Sequence, residues 1–150
     1  MRIVVIGSGK LGGSLAKSLI GEGHEVTVID RSDAVLQRGM DTLDALFIKG
    51  SGVSVETLTE ADVQHADIVI AATAGDEVNM LSCLTAKRLG AQYTIARIRD
   101  PEYLNSLSFL QKELYIDYVI NPERSTAREI SRMLRFPFAG EVETFARGRV

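Results

Sequence analysis

The sequence predicts an α/β fold: a doubly wound, six-stranded parallel sheet with helices on both faces. Three observations carry this. Short β-branched apolar runs alternate along the chain with amphipathic stretches of helical period. The first apolar run passes directly into a glycine-rich turn and a helix. The 150 residues, 45% hydrophobic and 25% charged, suit one domain with a buried core of ordinary composition.

Each element has its own signal. Residues 3–6 (IVVI) form an unbroken β-branched run, as in a strand buried on both faces. Leu11, Leu15, Leu19 and Ile20 then recur at helical spacing. HEVTVID (24–30) is the second strand, and RSDAVLQRGM opens a helix capped by Ser32 or Asp33. DALFIKG (44–50) is a shorter third strand, SVETLTEA (54–61) a short helix and DIVIAAT (67–73) the fourth strand. DEVNMLSCLTAKRLG (76–90) is a helix closed by Gly90. Asp76, Glu77 and Asn79 lie at its start, where they are expected to cap it and complement its dipole.

YTIAR (93–97) is the fifth strand. RDPEYLNSLSFLQKE (99–113) reads as one helix, with Asp100 as cap and Pro101 in the first turn. YIDYVI (115–120) is the sixth strand. NPERSTAREISRMLR (121–135) repeats the start signal with Asn121 and Pro122. This helix carries an apolar stripe (Ala127, Ile130, Met133, Leu134) and a basic one (Arg124, Arg128, Arg132, Arg135), with Glu129 off to the side. The expected strand order is 3-2-1-4-5-6. GEVETFARGRV (140–150) alternates loosely and stops in mid-pattern, so the chain reads as a piece of a longer protein or one half of a complex.

Charge and composition exclude several classes. The net charge is 17 − 20 = −3, with no bulk basic footprint for nucleic acid. Residues 121–150 are the exception, with six bases, all Arg, against four acids. A solvated face is the plain reading of that stripe and a contact surface the sharper one. Cys83 is the only cysteine, so no intrachain disulfide forms, which fits a reducing compartment. It lies in a helix beside Leu81 and Leu84, as a core residue rather than a nucleophile. His24 and His65 neighbour neither Cys nor another His, and no metal site is expected. No apolar run approaches the roughly 18 residues that span a bilayer, and the N-terminus runs into the fold without the length of a signal peptide. A cytoplasmic location is the expectation.

The glycines make G-x-G-x-x-G at Gly7, Gly9 and Gly12, directly after a strand and opening a helix. Gly7 permits the tight turn, Gly9 lets backbone approach a pyrophosphate, and Gly12 lets the helix lie close on the strand. The turn and first helical residues, Gly7, Ser8, Gly9, Lys10, Leu11 and Gly12, are therefore the expected phosphate side of a nucleotide site. Asp30 ends the second strand, 18 residues after Gly12, where a carboxylate accepts hydrogen bonds from ribose hydroxyls. It would repel a 2′-phosphate, which disfavours NADP, while Arg31 beside it suits either a 2′-phosphate or an adenine face. NAD, NADH, ATP and ADP all carry a free 2′-hydroxyl, and the motif does not choose among them.

Four further strings sharpen the reading: GKLGGSLAKSLIGEGHEVTVIDRS, DIVIAATAGDEVNMLSCLTAKRLG, ARIRDPEYL and VINPERSTAREI, in that order. Together they resemble the TrkA N-terminal domain family, also called RCK or KTN, over about residues 1–138. The resemblance implies a Rossmann-like fold that binds NAD(H) or ATP/ADP as a ligand rather than a redox cofactor. It also implies a homodimer assembling into larger rings. The implied partner is an integral-membrane potassium transporter subunit, at the inner face of the cell membrane. Carried over by position, Arg31 lies near the adenine and Ser51 and Gly52 take the adenine edge. Ala72 and Thr73 end strand four over the nucleotide, and Arg97 ends strand five within reach of phosphates. Glu123 matches an acid near the subunit interface, facing a neighbouring nucleotide or a cation. Residues 139–150 resemble the start of a linker toward a second, C-terminal regulatory domain. The family often has Gly-Asp-Ala or Gly-Asp-Gly after strand three. Here it is Gly50-Ser51-Gly52, which removes an Asp contact.

Two other classes stand beside this one. A dehydrogenase fragment would need a substrate pocket and an acid/base partner, yet all six strands belong to the nucleotide fold and both histidines are badly placed. A methyltransferase-like site would also use Asp30, but the G-x-G-x-x-G pointing into a helix argues against it. The expectation is a ligand-gated regulator, not an enzyme, with no catalytic residues.

Overall fold

Val4 and Ile6 enter one face of the sheet and Ile3 and Val5 the other, and all four are buried. The computed structural model describes residues 1–135. The expected boundary at 138 and the linker over 139–150 lie outside the described residues. The chain divides into two compact units, Met1–Ile120 and one beginning at Asn121.

The first unit carries the sheet. Its strands are β1 (Arg2–Ile6), β2 (Glu25–Asp30), β3 (Leu46–Lys49), β4 (Ile68–Ala71), β5 (Tyr93–Arg97) and β6 (Tyr118–Ile120). All pair in parallel, in the order β3-β2-β1-β4-β5-β6. This is the expected order, and it places the reversal of winding at β1, between β2 and β4. Ile6 is in register with Ile29 and with Ala71, and Ala71 with Ala96. Asp30, Gly7, Ala72 and Arg97 therefore follow one another along the carboxyl-end crest of the sheet.

The helices are α1 (Lys10–Gly21), α2 (Asp33–Met40), α3 (Val55–Glu60), α4 (Asp76–Leu89), α5 (Pro101–Asn105) and α6 (Leu107–Glu113). Leu11, Leu15, Ala16 and Leu19 of α1 pack on Ile3, Val5, Val26 and Val28. On the other face, Leu58 of α3 and Ala86 of α4 meet Val4, Ile6, Ile29 and Val69. Ser32 and Ser54 cap α2 and α3, accepting the N–H groups of Val35 and Thr57.

Two local expectations need correction. Residues 99–113 form two helices rather than one, broken at Ser106 (φ −110, ψ 19). Asn105 and Ser106 are poor helix-interior residues because their side chains compete for the backbone. The sixth strand begins at Tyr118 rather than Tyr115. Tyr115 has φ 54 and ends α6 in a left-handed turn, with the Ile116 N–H donated to Gln111 O at 2.9 Å. A short 3₁₀ turn at Val63–His65, entered through a left-handed Asp62, had no sequence signal.

The second unit's described part is α7 (Pro122–Arg135). Asn121 Oδ1 accepts the Arg124 N–H at 3.0 Å, as expected of the cap. Residues from Glu123 to Arg135 are exposed, including Ile130, Met133 and Leu134 of the apolar stripe. Glu129 pairs with Arg132 at 2.6 Å. Among the described residues no helix is long and apolar enough to cross a membrane.

Candidate functional site

The three glycines differ in what surrounds them. Gly7 has φ +90, and its N–H is donated to Ile29 O at 2.8 Å. An added Cβ there would stand 2.9 Å from the Thr73 backbone. At Gly12 a Cβ would lie 1.8 Å from Gly7 O, so α1 approaches the turn as closely as backbone allows. At Gly9 a Cβ would meet nothing within 4 Å. Gly7 and Gly12 are thus required by packing and Gly9 is not, which leaves open space over the turn for a ligand.

That space faces a helix start without a protein cap. Gly9 is the N-cap of α1, with no side-chain cap bond and no acid in the first turn. The first helical bond runs from Gly13 N to Gly9 O at 2.9 Å. The N–H groups before it have no intrahelical carbonyl, and the dipole adds positive potential there. An anion fits this seat, and so do the phosphates of a nucleotide.

Asp30 stands beside the seat. Its Oδ2 accepts the Ser8 N–H at 2.7 Å and its Oδ1 the Ser32 N–H at 2.8 Å. Each carboxylate oxygen keeps a lone pair, so the carboxylate can still accept from two ribose hydroxyls. Arg31 Nη2 donates to Ser51 Oγ at 2.7 Å and bridges the turns after β2 and β3. Ser51 thus fixes the guanidinium beside the turn after β3. Gly52 is buried, and a Cβ on it would strike Ile6 Cγ2 at 2.2 Å, so its size serves the packing of this turn under β1.

Across β1, Ala72 donates its N–H to Ile6 O at 2.8 Å. Thr73 and Arg97 follow at the ends of β4 and β5, both part-buried. The expectation that Asn79 caps α4 needs correction. The N-cap is Gly75, without a side-chain bond, and Asn79 lies further in, fully buried and bonded to Thr73 and Arg97. Asp76 does not cap the helix through its side chain either: its Oδ2 accepts the N–H groups of Arg99 and Asp100, at 2.8 and 2.7 Å. Arg99 Nε lies 3.8 Å from Asp76 Oδ1, and its Nη2 donates to the carbonyl of Ala74.

A cleft of about 360 Å³ lies beside these ends, lined by Gly75, Asp76, Glu77, Arg99, Asp100 and Tyr103 among others. The Tyr103 hydroxyl donates to Glu77. That bond holds the Glu77 carboxyl below its usual range, and the carboxylate pushes the phenol up to about 12. Asn79 ties two strand ends, a role whose one signal in the sequence is an amide one turn inside an apolar helix face. Cys83 is fully buried, and burial pushes its thiol up to about 12. No group of His, Cys, Asp and Glu among the described residues is arranged to hold a metal ion. Glu123 lies in the first turn of α7 in the second unit.

Residues 3–122 match the family model described as the TrkA-N domain. The chain is 34% identical over 148 residues to the Trk system potassium uptake protein TrkA homolog of Methanothermobacter thermautotrophicus, covering 99% of this chain and 67% of that protein. It is 39% identical over 150 residues to the Archaeoglobus fulgidus protein of the same name, covering 100% of this chain and 34% of that one. Among solved structures, the TrkA-N domain of inner membrane protein ybaL from Escherichia coli superposes with a TM-score of 0.78 at 19% identity, over 89% of this chain and 96% of that one. The GsuK channel bound to NAD superposes with a TM-score of 0.72 at 20% identity, over 86% of this chain and 23% of that one. At these identities the structural likeness shows the shared fold. The chain spans two thirds of the length of one of these relatives and about a third of the other.

Proposed function

The chain belongs to the TrkA-N domain family, and from that premise we propose that it is the nucleotide-sensing domain of a potassium uptake protein. It binds NAD(H) or ATP/ADP at the crest of the sheet as a regulatory ligand and catalyses no reaction on it. The observation that carries this reading is the contrast between Gly12, closed by packing, and Gly9, open over an uncapped helix start beside Asp30. The relatives named as potassium uptake proteins supply the physiological setting. A channel of the same fold, described as bound to NAD, supplies the ligand class.

In this reading Gly7, Ser8, Gly9, Lys10, Leu11 and Gly12 face the phosphates and Asp30 the ribose. Arg31, Ser51 and Gly52 form the adenine side; Ala72, Thr73 and Arg97 form the far side. Regulation follows from linkage. A nucleotide shifts the balance between two subunit arrangements only by its difference in affinity for them. A tenfold difference is about 1.4 kcal/mol. The arrangements belong to a homodimer built into a larger ring beneath a membrane transporter, on the cytoplasmic side, with Glu123 near the interface. The segment after residue 138 leads toward a second regulatory domain.

The test is a calorimetric titration with NAD, NADH, NADP, ATP, ADP and S-adenosylmethionine. Binding of NAD(H) or the adenine nucleotides, with NADP weaker, is the expected outcome. Binding of NADP alone would overturn the Asp30 assignment. Steady oxidation of NADH with a small carbonyl compound would overturn the sensor reading in favour of a dehydrogenase.

A further inference from the structure

Asn79 lies one turn inside α4 and has no exposed surface. Its Oδ1 accepts the Thr73 N–H at 2.9 Å and the Thr73 hydroxyl at 2.7 Å. Its Nδ2 donates to Thr73 O at 3.2 Å and to Arg97 O at 2.9 Å. The Thr73 N–H can only donate, which fixes the orientation of the amide. A carboxamide has two donors and two acceptor lone pairs, so every one is used. A buried amide is costly unless it is satisfied. This one is satisfied entirely by two segments just where β4 and β5 run out.

Thr73 in turn touches the glycine turn. A Cβ on Gly7 would meet Thr73 N and Cα at 2.9 Å, so the two backbones are in contact. A chain of contacts therefore runs from Arg97 through Asn79 and Thr73 to Gly7. Asp76, three residues earlier on α4, holds the segment after β5 through the Arg99 and Asp100 N–H groups. The side-chain bonds of Asp30 and Arg31 run to Ser8, Ser32 and Ser51, in the turns after β1, β2 and β3, whereas Asn79 bonds at the ends of β4 and β5.

We infer that Asn79 is a positioning residue for the β4–β5 half of the nucleotide site, setting where Thr73 and Arg97 stand relative to the glycine turn. The inference rests on the nucleotide reading above. It makes an asymmetric demand: a ligand using only Asp30 and the glycine turn is indifferent to Asn79, and a ligand extending across β1 is not.

The experiment measures the Kd of AMP and of NAD by calorimetry for the 150-residue chain and its Asn79→Leu and Asn79→Asp variants, with folding checked by circular dichroism. Leu has similar volume and removes all four bonds. Asp keeps the acceptor for Thr73 and loses the donations to Thr73 O and Arg97 O. The expected result is AMP affinity within about twofold of the parent and NAD affinity lower by about tenfold or more both in Asn79→Leu and in Asn79→Asp, whose second carboxylate oxygen would face the Thr73 and Arg97 carbonyls. Equal losses for AMP and NAD, or no loss for NAD, would overturn the assignment and leave Asn79 a structural amide. If Asn79→Leu fails to fold, the same comparison in Asn79→Asp decides. A parent chain that binds neither AMP nor NAD overturns the nucleotide reading itself and this assignment with it. A parent that binds both, with symmetric variants, overturns this assignment alone.

Discussion

The carboxylate of Asp30 accepts the backbone N–H of Ser8 at 2.7 Å, so the acid that ends β2 also holds the turn that follows β1. Replacing it with Ala removes the proposed ribose acceptor and releases that turn together. Asp30→Ala should weaken AMP, ADP, ATP and NAD alike, by about 1.5–3 kcal/mol, the range for hydrogen bonds to a charged group. Calorimetry on the four ligands checks this. An unchanged affinity would place the ribose elsewhere.

Gly9 and Gly12 separate binding from stability. Gly12→Ala puts a Cβ 1.8 Å from Gly7 O, a backbone atom that cannot swing aside. It should destabilise the fold by about 1–3 kcal/mol or more, the cost of overpacking. Gly9→Ala meets no atom within 4 Å and keeps φ −68, which any residue adopts. Its stability cost should stay near that of an Ala in place of Gly at an N-cap, about 1 kcal/mol or less, while phosphate-bearing ligands lose affinity. Urea unfolding beside nucleotide titration reads the two effects. Gly9→Ala with full affinity would show that the open space is not the ligand's.

Cys83 offers a probe of the core. Its thiol is fully buried and pushed up to about 12, so very little thiolate is present at pH 8. Alkylation by iodoacetamide should be slow in the native protein and should accelerate in urea with the unfolding transition. Rapid native labelling would mean that α4 opens locally around it.

The sheet was legible because β1, β2, β4 and β5 carry β-branched runs and the winding rules leave few orders. The turn at Gly7–Gly12 was legible for a similar reason: each glycine answers a local backbone demand. What stayed hidden depends on partners distant in sequence. Asp76 stands at the start of a helix, where a capping role is the natural reading, yet its acceptors serve N–H groups 23 and 24 residues on. Tyr115 reads as the first residue of a strand because it is aromatic and followed by Ile116. Only the end of α6 reveals it as a left-handed turn, a conformation that residue type does not announce. Arg31 and Ser51 are twenty residues apart, and their bond follows from β2 and β3 ending side by side.

Asp117 supplies a pH dependence whose sign is fixed by its partners. Burial favours its neutral form. The Lys87 ammonium at 2.8 Å and the Thr94 N–H at 2.7 Å outweigh that and hold its carboxyl below the ordinary value of 3.8. A carboxyl lowered on folding stabilises above its unfolded pKa, and that contribution is lost as pH falls through the folded value. The cluster joins α4, β5 and the entry to β6, because Lys87 also donates to Gln92 O and Thr94 to Tyr115 O. Asp117→Asn keeps one acceptor and loses the charge. Since the pair is partly open to solvent, its cost at pH 7 should be about 1–2 kcal/mol. Urea midpoints at pH 7, 5 and 3 test this. The gap between parent and variant should hold from pH 7 to 5 and narrow at pH 3, as the parent's carboxyl begins to take up its proton. A gap unchanged at pH 3 and at still lower pH would assign the loss to packing rather than to the charge.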